Sequence, residues 1–213
     1  MSVLAVEDLR FRYARGGEEL FDGLTHAFAP GRITALTGPS GRGKSTLLYL
    51  LGLLLTPSAG RVLLDAHDAS GAPDARRSAL RAARFGFVFQ DSELDPSRTI
   101  LDSVREVGLY AGLTPAALKG RALDLLERFG LEHRATHRPG QVSGGQAQRV
   151  ALCRALMNDP DVVLADEPTG NLDRDNAALV LDTLADIADD GRTVVIATHD
   201  PFVIGRANEV LQL

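Results

Sequence analysis

The segment GPSGRGKST, residues 38–46, constrains this chain more than any other. It fits G-x-x-x-x-G-K-[ST] at every fixed position, and it lies between the apolar runs RITALT (32–37) and STLLYLL (45–51). Gly38, Gly41 and Gly43 let the backbone bend until several amides face one centre, and the N-terminus of the following helix adds partial positive charge there. A buried strand, a phosphate-binding loop and a helix are therefore expected in that order. Lys44 is placed to reach the β- and γ-phosphates of a nucleotide, and Ser45 to hold Mg²⁺ through its hydroxyl.

The rest of the chain supports an α/β reading. Before the loop, VLAVEDL, GGEELF and LTHAFAPG read as strands of a small antiparallel sheet leading into the buried strand 32–37. GRVLLD (60–65) and FGFVF (85–89) read as further strands, with the basic helix RRSALRAAR between them. No clear strand appears from about 95 to 140, within a stretch of about 91–142; TILDSVREVGLYAG and TPAALKGRALDLLERFG have helical spacing, the second with Thr114 as cap and Pro115 at the first helical position. This stretch is expected to be a helical subdomain inserted between strands of the main sheet. Beyond it a helix (about 143–157), a strand (162–166), a helix (about 174–189), a strand (193–198) and a short final helix and strand alternate. Alternation of this kind predicts a mainly parallel sheet. The expected fold is thus a P-loop α/β core, an N-terminal antiparallel β subdomain and the helical insertion, all in one domain over 1–213.

Composition narrows the function. The net charge of −5 gives no sign of a nucleic-acid binder. The one cysteine, Cys153, can form no internal disulfide; it lies in a helical run and reads as a core residue of a protein from a reducing compartment. The N-terminus MSVLAVEDLRF lacks the basic start and apolar centre of a signal peptide. The longest apolar run, LLYLLGLLL (47–55), has nine residues where a bilayer needs about 20, so it reads as a buried helix. If the protein serves a membrane, another chain supplies the membrane part.

Several polar residues sit at the carboxyl ends of predicted parallel strands, where an α/β sheet lines its ligand crevice. VVLADEP (162–168) ends in two acids. Asp166 would lie near the metal if its strand ran beside the phosphate-loop strand, and Glu167 would reach toward an attacking water as general base. Gln90 follows FGFVF and His199 follows TVVIAT, which puts both on the same edge. About a hundred residues beyond the first glycine loop comes QVSGGQAQR (141–149), where Ser143 opens a helix with its amides, hydroxyl and dipole turned outward at an anion.

The order GPSGRGKST, Gln90, VSGGQ, VVLADEP, NLD, His199 resembles the ATPase subunit of ABC transporters over nearly the whole chain. The resemblance implies ATP and Mg²⁺ as cofactors. It makes Gly38, Pro39, Ser40, Gly41, Arg42, Gly43, Lys44, Ser45 and Thr46 the Walker A loop, and Gln90 a residue that contacts Mg²⁺ or water and senses a membrane partner. Ser143, Gly144, Gly145 and Gln146 become the signature motif, Asp166 the metal ligand and Glu167 the catalytic base. Gly170 to Asp173 resembles the D-loop, His199 the switch histidine at the γ-phosphate, and Tyr13 the aromatic that stacks on adenine. It also accounts for two phosphate-binding segments: two subunits, expected to be identical, pack head to tail, and the loop of one and the signature of the other close on one ATP.

Val142 departs from the usual leucine of the signature but keeps an apolar residue, and HRPGQ before it is unlike the acidic loop of exporters with a fused ATPase. DEPTGNLD resembles the subgroup that serves lipoprotein release, macrolide and peptide export, and cell division. The expectation is therefore an ATPase driving a separate integral membrane permease from the cytoplasmic face. The alternatives are a soluble ABC ATPase acting on DNA or ribosomes, and a regulatory or mechanotransmitting module. Relatives of the first kind carry coiled coils or a duplicated domain, which are absent here, and Glu167 and His199 speak against a degenerate site.

Overall fold

The structure is a computed structural model that describes residues 3–13, 17–39, 41–109 and 114–213. Two sheets hold the molecule together. The first is four-stranded and antiparallel, in the order β2 (Leu20–Phe28), β1 (Leu4–Phe11), β4 (Ala59–Leu64), β5 (His67–Asp68). The second has five strands, all parallel, in the order β6 (Phe85–Val88), β7 (Val162–Asp166), β8 (Thr193–Ala197), β3 (Arg32–Thr37), β9 (Glu209–Gln212).

Alternation along the parallel strands divides the core into two layers. Leu36, Val162, Leu164, Val195 and Ala197 face the antiparallel sheet, together with Leu4, Val6, Leu9 and Phe28. Helix α1 (Lys44–Leu51) lies in that layer, with Leu47, Leu48, Leu50 and Leu51 all buried. A helix covered on all sides needs no polar face, which explains the unbroken apolar run. Each of those leucines contributes about 1.5–3 kcal/mol of burial. Ile33, Val163, Ala165, Val194 and Ile196 face the other way, onto α3 (Ile100–Leu109), α4 (Pro115–Arg128), α5 (Gly144–Leu156) and α6 (Arg174–Asp189). Thr114 caps α4 and Asp173 caps α6 through backbone amides three residues on. Helices α2 (Asp74–Arg84) and α7 (Pro201–Ile204) complete the chain.

Two expectations are corrected. GGEELF and LTHAFAPG do not form separate strands; residues 20–28 run as one strand whose interior holds Phe21 and Gly23 at positive φ, and its pairing with β1 is irregular between Val6 and Phe11. The strand ending in Asp166 does not adjoin the phosphate-loop strand either, because β8 lies between β7 and β3. The basic α2 is also not a free cationic surface. Arg77 bonds Thr56, Arg81 donates to the Leu53 carbonyl at 2.7 Å, and Arg84 pairs with Asp65 and Asp161, tying the helix to three neighbouring loops.

Candidate active site

A cleft of about 880 Å³ opens at the carboxyl edge of the parallel sheet. Tyr13, Gly38, Pro39, Gly41, Gly43, Lys44, Ser45, Thr46, Gln90, Asp166, Glu167 and His199 all line it. Ser40 lies outside the described residues. Arg42 is exposed on the rim, its guanidinium 4.0 Å from Glu18. Ser143 to Gln146 do not line the cleft; they start α5, with Ser143 and Gly144 exposed and Gly144 in a smaller adjoining pocket that Gln90 also lines.

The loop is shaped by its glycines. Gly38 has φ 142°, and a β-carbon there would lie 2.6 Å from the Leu213 carbonyl oxygen beyond β9. Gly43 caps α1 in the left-handed region at φ 94°, and no side chain caps that helix. Lys44 Nζ donates to the carbonyls of Gly38 at 2.9 Å and Pro39 at 3.3 Å. The ammonium is thus held beside the loop rather than paired to a carboxylate.

Asp166 ends β7, yet it shares the cleft with Ser45 across the intervening strand, because α1 packs over both β7 and β8. Burial holds Asp166 above the usual carboxylate range and Glu167 adds to the rise, while the Ser45 hydroxyl and Lys44 pull the other way. Glu167 has the left-handed φ of 44°, a strained geometry for a side-chain-bearing residue, and is anchored by its amide to the Ala197 carbonyl at 2.9 Å. Its two carboxylate oxygens are engaged separately: Thr198 Oγ1 donates to one at 3.0 Å and His199 Nδ1 to the other at 2.5 Å.

Thr198 is the residue that sequence reasoning missed here. It is fully buried at the end of TVVIAT and looks like one more strand residue; the signal that could have found it is a polar side chain closing an otherwise apolar run. Tyr13 is 69 % exposed, too open to serve as packing; its ring meets the edge of Phe11 at 4.8 Å and its hydroxyl is 2.7 Å from Thr46 Oγ1.

Donor types decide what the cleft can hold. Asp166 and Ser45 present hard oxygens, as Mg²⁺ requires. No group of three or more His, Cys, Asp or Glu side chains that could hold a metal exists among the described residues. The pair therefore fits a cation that takes most of its ligands from water and a phosphate chain.

Loop, half-buried carboxylate and strained glutamate on one edge of a parallel sheet define a P-loop nucleoside triphosphatase. The ABC transporter family matches over residues 21–170. The lipoprotein-releasing system ATP-binding protein LolD of Granulibacter bethesdensis is 47 % identical over 207 residues, 95 % of this chain and 90 % of that protein. The macrolide export ATP-binding/permease protein MacB of Rhodopseudomonas palustris is 46 % identical over 86 % of this chain, which spans only 28 % of that protein. A dimeric post-hydrolysis structure of the ATP-binding cassette MJ0796, bound to ADP and Pi, superposes with a TM-score of 0.88 at 33 % identity, covering 99 % of this chain and 94 % of that one. The chain belongs to the ABC transporter family, in the group of the LolD and MacB ATPases. It is an ATPase subunit that binds ATP and hydrolyses it.

Proposed function

We propose that this chain powers a membrane partner by closing on ATP as a head-to-tail homodimer, each ATP held between residues 38–46 of one copy and residues 143–146 of the other. The observation that carries this reading is the division of the glycine-rich segments: the first lines the cleft with the acids and His199, while the second stands outside it. The first-turn amides of α1 and Lys44 take the phosphates, and Tyr13 turns from Thr46 to cover the base. Ser45 and Asp166 would hold Mg²⁺, with Gln90 at its water shell; the ion when bound neutralises charge on the phosphate chain. Glu167 takes the proton of the attacking water, and Thr198 keeps its carboxylate aimed. His199, released from Glu167 by a γ-phosphate, contacts that phosphate and reports its presence.

The partner is an integral membrane protein, and the place of work is the cytoplasmic face of the membrane. No helix among the described residues is long and apolar enough to cross a bilayer. A groove of about 950 Å³ between α2, β6 and α3, lined by Tyr49, Leu54, Phe85, Phe87 and Phe89, supports docking on this face. By likeness to LolD, the task is lipoprotein release rather than passage of a small solute.

Glu167→Gln keeps the shape of the site and removes the base. Hydrolysis should fall by ~10²–10⁴, and an ATP-bound dimer should accumulate in gel filtration. Turnover close to wild type would remove Glu167 from that role.

A further inference from the structure

Residues 89–93 join the ATP cleft to the apolar groove: Gln90 lines the first, Phe89 and Glu93 line the second. A segment in that position has to be held, and its backbone belongs to no strand or helix. The groups that hold it come from two other parts of the chain. Gln148, which is 3 % exposed, donates its Nε2 to the Phe89 carbonyl at 3.0 Å. Arg154 donates Nη2 to the Ser92 carbonyl at 2.9 Å and Nη1 to the Glu93 carbonyl at 2.7 Å. Asn171 donates to the Asp91 carboxylate at 3.0 Å. Glu93 itself has φ 50°, which presents the two successive carbonyls to one guanidinium.

Gln148 and Arg154 both lie on α5, the helix that Ser143 caps. Arg154 is the more telling of the two. Burial lowers its pKa, against the pull of Glu93 and Glu106, and no carboxylate of the described residues lies within ion-pair distance of it. A desolvated cation with only carbonyl partners is a costly way to stabilise a fold. The planar fork does what a lysine cannot, gripping two backbone oxygens at a fixed spacing.

We propose that Gln148 and Arg154 are positioning residues that fasten residues 89–93 to α5, so that Gln90, the wall of the groove and the Ser143 end of α5 move as one body. A displacement at the groove then carries both to Gln90 in this copy's cleft and to the helix start that serves the partner copy. The inference rests on the roles proposed above for Gln90 and Ser143, but the fastening itself does not.

The test uses the full chain with Mg²⁺ and ATP. Gln148→Glu puts a carboxylate oxygen against the Phe89 carbonyl, Arg154→Leu removes the fork, and Arg154→Lys keeps the charge without the paired geometry. Cys153→Ala, on the same helix but facing the Leu125 carbonyl, serves as the control for lost packing. Amide hydrogen exchange at residues 90–94 should quicken by about tenfold or more in Gln148→Glu and Arg154→Leu, less in Arg154→Lys, and not in Cys153→Ala. kcat should fall roughly tenfold in the first two while KM for ATP stays within about twofold, since only placement of a group acting in the chemical step is lost. Unchanged exchange at 90–94, or equal kcat losses in Cys153→Ala and Arg154→Leu at equal thermal stability, overturns the proposal. Gln90→Ala separates the layers: if it leaves kcat intact while exchange quickens as expected, the fastening stands and the role of Gln90 falls.

Discussion

Helices α1 and α5 both begin at glycine-rich turns, but their first turns are finished in opposite ways. At α1 the cap is Gly43, no side chain bonds the free amides, and the acids, Gln90 and His199 surround the opening. At α5 the cap is Ser143, and a capping box closes it: Gln146 N–H donates to Ser143 Oγ at 3.2 Å, and Ser143 N–H to Gln146 Oε1 at 3.0 Å. The first start leaves its amides open to the cleft. The second is closed by its own side chains, and residues 143–146 do not line the cleft. The difference suits the proposed shared site: one end keeps its amides free for a phosphate, while the other holds its own shape as a lid for it.

The largest expected effect separates the two ends by ligand-induced stability. Saturating Mg-ATP, at about 100 times its Kd, should stabilise the monomer by about 2.7 kcal/mol in thermal unfolding. Lys44→Ala should abolish most of that gain, and Gly144→Asp should leave it nearly whole. Equal losses in both variants would erase the contrast between the helix starts.

The glycines of α5 give the next effect. A β-carbon at Gly145 would lie 2.4 Å from Asn176 Oδ1 and 3.1 Å from Asn176 Cβ, so Gly145→Ala has to push α6 away and should cost ~1–3 kcal/mol of stability. At Gly144 the nearest atom in that direction is Leu172 Cδ2 at 4.0 Å, so Gly144→Ala should be neutral or stabilising by up to about 1 kcal/mol. Denaturant melts of the two variants check this, and a reversed order would mean that α5 and α6 are not packed as described.

The smallest effect concerns the loaded end. Burial raises the Asp166 pKa in the folded chain, so ionising it at neutral pH costs folding stability. That cost is absent below the ordinary carboxylate range and grows as the pH rises through the folded pKa. Asp166→Asn should therefore melt slightly higher than wild type at about pH 7 and no higher at about pH 3, while losing hydrolysis. A lower melting point at neutral pH would show that Asp166 is a stabilising group rather than one kept for a ligand.

Much of this was legible because the parallel strands are short unbroken apolar runs with polar ends. VVLAD is β7 residue for residue, and the helix expected at 174–189 is α6. Polar residues after such strands share an edge whatever the strand order, which is why Gln90, Asp166, Glu167 and His199 could be grouped from the chain alone. Strand order itself has no local signature, so the position of β8 between β3 and β7 was not readable. Nor was the continuity of β2, since the positive φ of Phe21 and Gly23 looks like a turn in the sequence. Gln148 and Arg154 stayed hidden for a different reason: their partners are backbone carbonyls 59 to 62 residues away, and a carbonyl leaves no mark in the sequence.

The central claim is that the two helix starts meet in trans, and a mixing experiment tests it most directly. Lys44→Ala disables the loop, and Gly144→Asp places a carboxylate where a facing γ-phosphate would dock, at a helix start that tolerates an acid and has room for it. Each variant alone, shown first to be folded, should fail to trap ATP as a dimer. In a mixed dimer one site carries both lesions, and the other joins an intact loop to an intact Ser143 end. The account predicts that mixing restores trapping at one ATP per mixed dimer. If each chain builds its whole site from its own residues, every site keeps one lesion, mixing restores nothing, and the head-to-tail arrangement is contradicted.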